Sequence, residues 1–147
     1  MRSVEVMEKS KVQVWIHRQD ATRGRLVLLL KTTRQRGGFW QPVTGSVEEG
    51  ESLQDAALRE AQEETSLRFA QSQGPRALDF EFVFNGRWGK AREHGFELEA
   101  EPADADVVVD PSEHSACEWV MPQEALQKLK YESNRDCLCK LMERWKR

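Results

Sequence analysis

The segment Gly45–Leu67, GSVEEGESLQDAALREAQEETSL, restricts what this chain can fold into more than any other. Two glycines, Gly45 and Gly50, bracket an acidic loop, and from Leu53 to Glu64 no residue breaks a helix. Ser52 is an N-cap by residue type, with Asp55 three residues on as its capping-box partner. At ~100° per residue, Leu53, Ala56, Ala57, Glu60 and Glu64 share one face, and Glu63 lies at its edge. That face begins apolar, as a core-packed helix requires, and ends in carboxylates. Like charges three or four residues apart repel, and carboxylates turned toward a protein body lose hydration. They also sit at the helix end where the macrodipole disfavours anions. Arg59 can pair with Glu63, but one cation does not balance three anions. Two readings remain at this level. One is a solvated acidic helix end. The other is a set of hard oxygen ligands for Mg²⁺ or Mn²⁺, ions that in turn hold phosphates.

The flanking sequence reads as strands. Val12–His17 is a strand, Asp20–Gly24 a turn, and Arg25–Lys31 a second strand, nearly all apolar and so buried on both faces. Thr32–Gly38 is a loop whose Arg34 and Arg36 carry the right sign for a polyphosphate. Phe39–Val43 contains Pro42 and is therefore a short or edge strand. Leu67–Ala70 is a candidate short strand and Gln71–Pro75 a turn. Leu78–Phe84 alternates, with Phe80, Phe82 and Phe84 on one side, a stripe that usually belongs to a core. Asn85–Gly95 reads as a polar loop or hairpin turn, and Gly95–Ala100 as a strand half-exposed through its acidic residues. Glu101–Asp106 is an acidic loop, and Val107–Asp110 a strand or loop edge. Ser112–Val120 passes from loop to strand. Pro122 opens a helix. Ser133 or Asn134 caps a last one, whose apolar face is Cys137, Leu138, Leu141, Met142 and Trp145. Strands interleaved with three helices imply an α/β sandwich with a central mixed β-sheet.

Composition narrows the function classes. A chain of 147 residues suffices for one domain with a sizeable core, and a net charge of −3 gives no general reason to bind nucleic acid. No apolar run is long enough to span a membrane, and MRSVEVMEKS lacks a signal-peptide apolar region. Cys117, Cys137 and Cys139 have no framework or zinc spacing, which fits a reduced cytoplasmic protein.

Gly45, Glu51, Arg59, Glu60, Glu63 and Glu64 match the Nudix box at each charged position and at its first glycine. The chain resembles the Nudix hydrolases on that basis. Two positions depart from the pattern: Ala61 is a small version of its apolar residue, and Ser66 stands where a late glycine is expected. FWQPVTGSVEEGES at Phe39–Ser52 is similar to the bacterial dihydroneopterin triphosphate pyrophosphatases. So are DFEFVF at Asp79–Phe84, SEH and EW within Ser112–Trp119, and SNR at Ser133–Arg135. The resemblance implies a single α/β/α Nudix domain over residues 1–147. It implies Glu60 and Glu64 as metal ligands, Glu113 as a further ligand or catalytic acid, and Glu63 as ligand or base. Glu51 and Arg59 match the pair that steadies the loop and carboxylates. Lys31, Thr44, Phe80, Glu81 and Tyr131 fall at or near substrate contacts of the pterin enzymes, and Trp40 is a candidate for stacking on a ring.

The expected activity is Mg²⁺-dependent hydrolysis (Mn²⁺ as the alternative ion) of a nucleoside or pterin triphosphate to a monophosphate and pyrophosphate. Rival readings are a 5′-triphosphorylated RNA or another nucleoside-diphosphate-linked substrate, and a metabolite-binding regulator without activity. No membrane partner is expected, and no nucleic acid other than an RNA 5′ end.

Overall fold

Alternation in the first two strands decides which helix lies on which face. The computed structural model describes residues 8–69, 74–87 and 89–146. β1 (Lys9–Asp20) and β2 (Gly24–Thr32) turn Val12, Val14, Ile16, Leu28 and Leu30 to one side of the sheet, with Trp15, Val27 and Leu29 on the other. Helix α1 (Leu53–Thr65) covers the first side through Ala56, Ala57 and Ala61. Helices α2 (Pro122–Lys128) and α3 (Glu132–Trp145) cover the second through Ala125, Cys137, Leu138 and Leu141. The result is the expected α/β/α sandwich around a mixed sheet of seven strands. Each strand buried on both faces reads as an apolar run for that reason, as in Leu26–Leu30.

β1 and β2 pair as a hairpin only from His17 opposite Val27 to the turn, where Asp20 Oδ2 accepts from Thr22 and Arg23. Beyond that point the two strands part. The next segment fills the fork between them. β3 (Trp40–Gln41) pairs with β2, Pro42 interrupts, and β4 (Val43–Ser46) pairs with β1. β7 (His114–Val120) runs antiparallel along the far edge of β2. On the other side of β1 lie β6 (Gly89–Glu99), parallel to it, and then the edge strand β5 (Arg76–Gly86).

Several boundaries differ from expectation. The stretch expected as a loop, Asn85–Gly95, belongs almost wholly to the β5–β6 hairpin, because its alternate residues Ala91, Glu93 and Gly95 face inward. Glu97 is likewise buried, since His17 and Arg144 bind its carboxylate. Leu67–Phe69 form no strand: Leu67 N donates to Thr65 Oγ1 at 3.1 Å, which holds the backbone against the helix end. The remainder of that expectation, and most of the turn after it, lies at 70–73, outside the described residues, as do residues 1–7 at the N-terminus. Helix α3 starts at Glu132, with Tyr131 as N-cap, so neither Ser133 nor Asn134 caps it. Phe80 packs on the α3-side core, whereas Phe82 and Phe84 stack on each other and wall a cleft, so the stripe is only partly core.

Candidate active site

Helix α1 begins as its sequence dictates, with Ser52 Oγ accepting from Asp55 N at 3.1 Å. It ends at Ser66 in the left-handed conformation, φ 60°, the position where a glycine is the easier residue. Between these ends Arg59 gathers the acidic loop. Its Nε and Nη2 grip Glu51 at 2.8 and 3.0 Å, and Nη2 also donates to the Ser46 carbonyl at 2.9 Å. Its Nη1 reaches Glu60 at 2.9 Å and Glu63 at 3.3 Å. The fork of two hydrogen bonds from Arg59 pulls the Glu51 carboxyl down to about 2. Gly45 on β4 has no side chain for a local reason: a Cβ there would overlap the Glu60 carboxylate.

Glu64 is the anomaly of the helix. It is 5% exposed, and its Oε2 has no hydrogen-bond partner among the described residues. Burial, then the charges of its neighbours Glu60, Glu113 and Glu63, push its pKa up to about 9. Burial also raises Glu60, which shares a hydrogen bond with Glu64 and is partly restrained by Arg59. Opposite stands His114, 2% exposed, its Nε2 3.6 Å from Glu64 Oε1, beyond hydrogen-bonding range. Neither ring nitrogen has a partner among the described residues, and burial lowers the histidine pKa. Glu113 precedes His114 in the turn after Asp110 and is half-exposed, with Arg36 Nη2 at 3.7 Å from its Oε1. His114, next in the chain, lies against Glu64 and so brings this loop to the helix.

This donor set fits a hard divalent cation. The carboxylates offer hard oxygen donors, Glu60 and Glu64 are raised by burial first and by neighbouring acids second, and one buried oxygen is left unbonded. Among the described residues no three His, Cys, Asp or Glu side chains already surround one point. Glu60 and Glu63 are instead turned to Arg59.

The structure divides the candidate substrate residues into three places. Thr44 and Tyr131 line a cleft of about 410 Å³ between the sheet and the start of α3. Phe80 and Glu81 line a different one of about 490 Å³ beside the start of α1, and Glu81 there pairs with Arg92 at 2.8 Å. Lys31 and Trp40 stand together in the fork, the Lys31 ammonium 5.9 Å and that of Lys128 5.2 Å from the indole centre. Sequence reasoning gave no role to His114, although it lies within the SEH run, nor to Lys11 and Glu93 in the Thr44 cleft. For Glu93 the missed signal was strand alternation, hidden by reading its neighbourhood as a loop.

Carboxylates gathered at one helix end of an α/β sandwich are suited to holding a divalent cation against phosphates. Residues 8–141 match the NUDIX domain. The chain is 35% identical over 138 residues to the dihydroneopterin triphosphate diphosphatase of Escherichia coli, covering 86% of this chain and 87% of that one. It superposes on the solved E. coli dihydroneopterin triphosphate pyrophosphohydrolase with a TM-score of 0.73 at 30% identity, covering 90% and 94% of the two chains. A Myxococcus xanthus protein named octanoyltransferase is 40% identical over 116 residues, or 75% of this chain, which spans 30% of that protein's length. The chain belongs to the Nudix family and is a Nudix hydrolase.

Proposed function

We propose that residues 1–147 act as one Nudix hydrolase domain, a Mg²⁺-dependent pyrophosphohydrolase that cleaves a nucleoside or pterin triphosphate to the monophosphate and pyrophosphate. The observation that carries this reading is Glu64, buried with an unbonded oxygen beside Glu60 and facing Glu113. A structural acid in that position would have an internal cation; this one has three further acids. Likeness to the dihydroneopterin triphosphate diphosphatase supports a triphosphate as substrate.

In this reading Glu60 and Glu64 hold the cation, with Glu63 and Glu113 as further ligands. When bound, the ion lowers the pKa of a water and offsets phosphate charge. The chain's own residues do the rest. Arg59 fixes Glu51 and Glu60, so the acidic loop and the helix move as one piece. Water attacks one of the two phosphorus atoms flanking the α–β bridging oxygen, and that P–O bond breaks. Glu113 accepts the proton of the attacking water, with Glu63 as the second candidate. Lys31 and Arg36 bind phosphate oxygens, while Thr44 and Tyr131 contact the rest of the substrate. Trp40 braces Lys31. Phe80 and Glu81 lie in the other cleft and have no part in these steps. No helix among the described residues is long and apolar enough to cross a membrane, and Cys117, Cys137 and Cys139 are free thiols, which suits the cytoplasm where we place the enzyme.

The test is product analysis with Mg²⁺ on a panel of triphosphates, dinucleotide polyphosphates, nucleotide sugars and a pterin triphosphate. A triphosphate should give the highest specificity constant and release pyrophosphate. Stepwise release of orthophosphate, or a dinucleotide as the best substrate, overturns the reading. A 5′-triphosphorylated RNA as the best substrate would show a steep salt dependence instead.

A further inference from the structure

The cleft beside Thr44 contains a buried carboxylate whose orientation is fixed from below. The Trp15 indole N–H can only donate, and it donates to Gln13 Oε1 at 2.9 Å. The Gln13 amide is thereby locked, and its NH₂ group donates to Glu93 Oε1 at 2.6 Å. Trp15 and Gln13 are both fully buried, and Glu93 is 8% exposed. The second oxygen of Glu93 takes no hydrogen bond from any described residue, and the residue lines the cleft. That oxygen reaches the cleft, where a ligand N–H can take the place of water. Burial raises the Glu93 pKa, while the Gln13 bond and the Lys11 charge oppose the rise. The Gln13 amide uses one lone pair of Oε1, which leaves acceptor sites on both oxygens toward the cleft when the group is ionised.

The surroundings suit a flat ring. Phe82 and Phe84, 5.6 Å apart and nearly parallel, form one wall, and Tyr131, 46% exposed, stands at another. The volume of about 410 Å³ lies in the range of small-molecule sites. Thr44 lines this cleft, and the next residue, Gly45, lies against Glu60. A ring seated here is thus one residue of β4 away from the box carboxylates.

We propose that Glu93 is a specificity-determining residue that selects substrates bearing a ring N–H next to an exocyclic amino group, the edge that guanine and pterin share. Adenine places a lone pair where the carboxylate needs a donor, and hypoxanthine lacks the amino group. The proposal rests on the triphosphate reading of the same site and names its substrate class.

The experiment is equilibrium binding of GMP, IMP and AMP by titration calorimetry, with wild type and Glu93→Gln. GMP and IMP differ only in the amino group. Wild type should bind GMP at least about ten-fold tighter than IMP, the worth of one hydrogen bond from the amino group to a carboxylate. Glu93→Gln should bring that ratio within about three-fold, with an unchanged urea midpoint. Equal binding of GMP and IMP by wild type, a preference for AMP, no binding of GMP, or an unchanged ratio in the variant would each overturn the proposal. The wild-type ratio decides alone should the variant not fold. Monophosphates need no cleavage, so failure of the hydrolysis reading shows separately, as triphosphates that are not turned over.

Discussion

Glu64 and Glu97 are both core acids, 5% and 4% exposed, the first on the helix that covers one face of the sheet and the second on β6, turned to the other face where Arg144 of α3 meets it. Their surroundings differ completely. Glu97 accepts from His17 Nε2 at 3.1 Å and from Arg144 Nη1 at 2.7 Å. Arg25 donates to the other nitrogen of the same histidine at 2.7 Å, which fixes the tautomer that points N–H at Glu97. Burial works to raise the Glu97 pKa, but these bonds more than offset it and hold the group below its ordinary value. Among the described residues the titratable groups around Glu64 are acids and an unbonded histidine, and its pKa moves the other way. A buried acid satisfied from within is part of the scaffold. One that the chain surrounds with more acid is arranged for something the chain does not supply.

The sharpest way to break this contrast is to neutralise each acid. Glu64→Gln should lower kcat/KM by on the order of 10³-fold or more, with folding intact, since several kcal/mol of transition-state stabilisation is lost. Near-normal turnover would remove the central role given to Glu64. Glu97→Ala should do the reverse. Leaving Arg144 and His17 without their partner should cost about 3 kcal/mol in urea unfolding, while turnover per folded molecule stays close to wild type. If Glu97→Ala abolishes turnover without affecting stability, the two acids have been assigned the wrong way round.

The pH dependence of stability sharpens the same comparison. The folded pKa of Glu64, about 9, lies above its ordinary 4.5, so its contribution is fully present below 4.5 and fades as pH rises toward 9. Metal-free protein should therefore lose thermal stability over that range, and Glu64→Gln should flatten the slope. Added Mg²⁺ should raise the melting temperature more at pH 8 than at pH 6. Glu97 and Glu51 have lowered values, so their contributions are present above the ordinary range and are lost on acidification. The smallest expected effect is at the helix end. Ser66→Gly should add about 0.5 kcal/mol: relief of a left-handed serine is worth about 1 kcal/mol, less the bond from Ser66 Oγ to the Val108 carbonyl. Activity should not change.

Much of this was legible in the sequence where one local rule governs. Ser52, the alanine face of α1 and the Arg59 pairing all follow from spacing within one helix, and each is where that spacing puts it; Ser66, which the resemblance marked as standing in for a glycine, is the left-handed residue at its end. The apolar run at Leu26–Leu30 equally announced a strand covered on both faces. What sequence could not show depends on partners far along the chain. Glu93 and Glu97 look like surface acids until Gln13, His17 and Arg144 arrive from β1 and α3 to bind them. The start of α3 failed for a related reason. Asn134 has the residue type of a cap, yet it is buried within the helix and lines the Thr44 cleft.

The parting of β1 and β2 has a consequence for how such a molecule can change. Because Trp40–Ser46 threads the gap, the cleft proposed for the ring and the carboxylates proposed for the cation occupy opposite sides of a single partition, joined by a short threshold at Thr44 and Gly45. Substitutions on the ring side can swap one leaving group for another while the hydrolytic side stays untouched. A lineage built on this plan can acquire new diets without relearning how to digest.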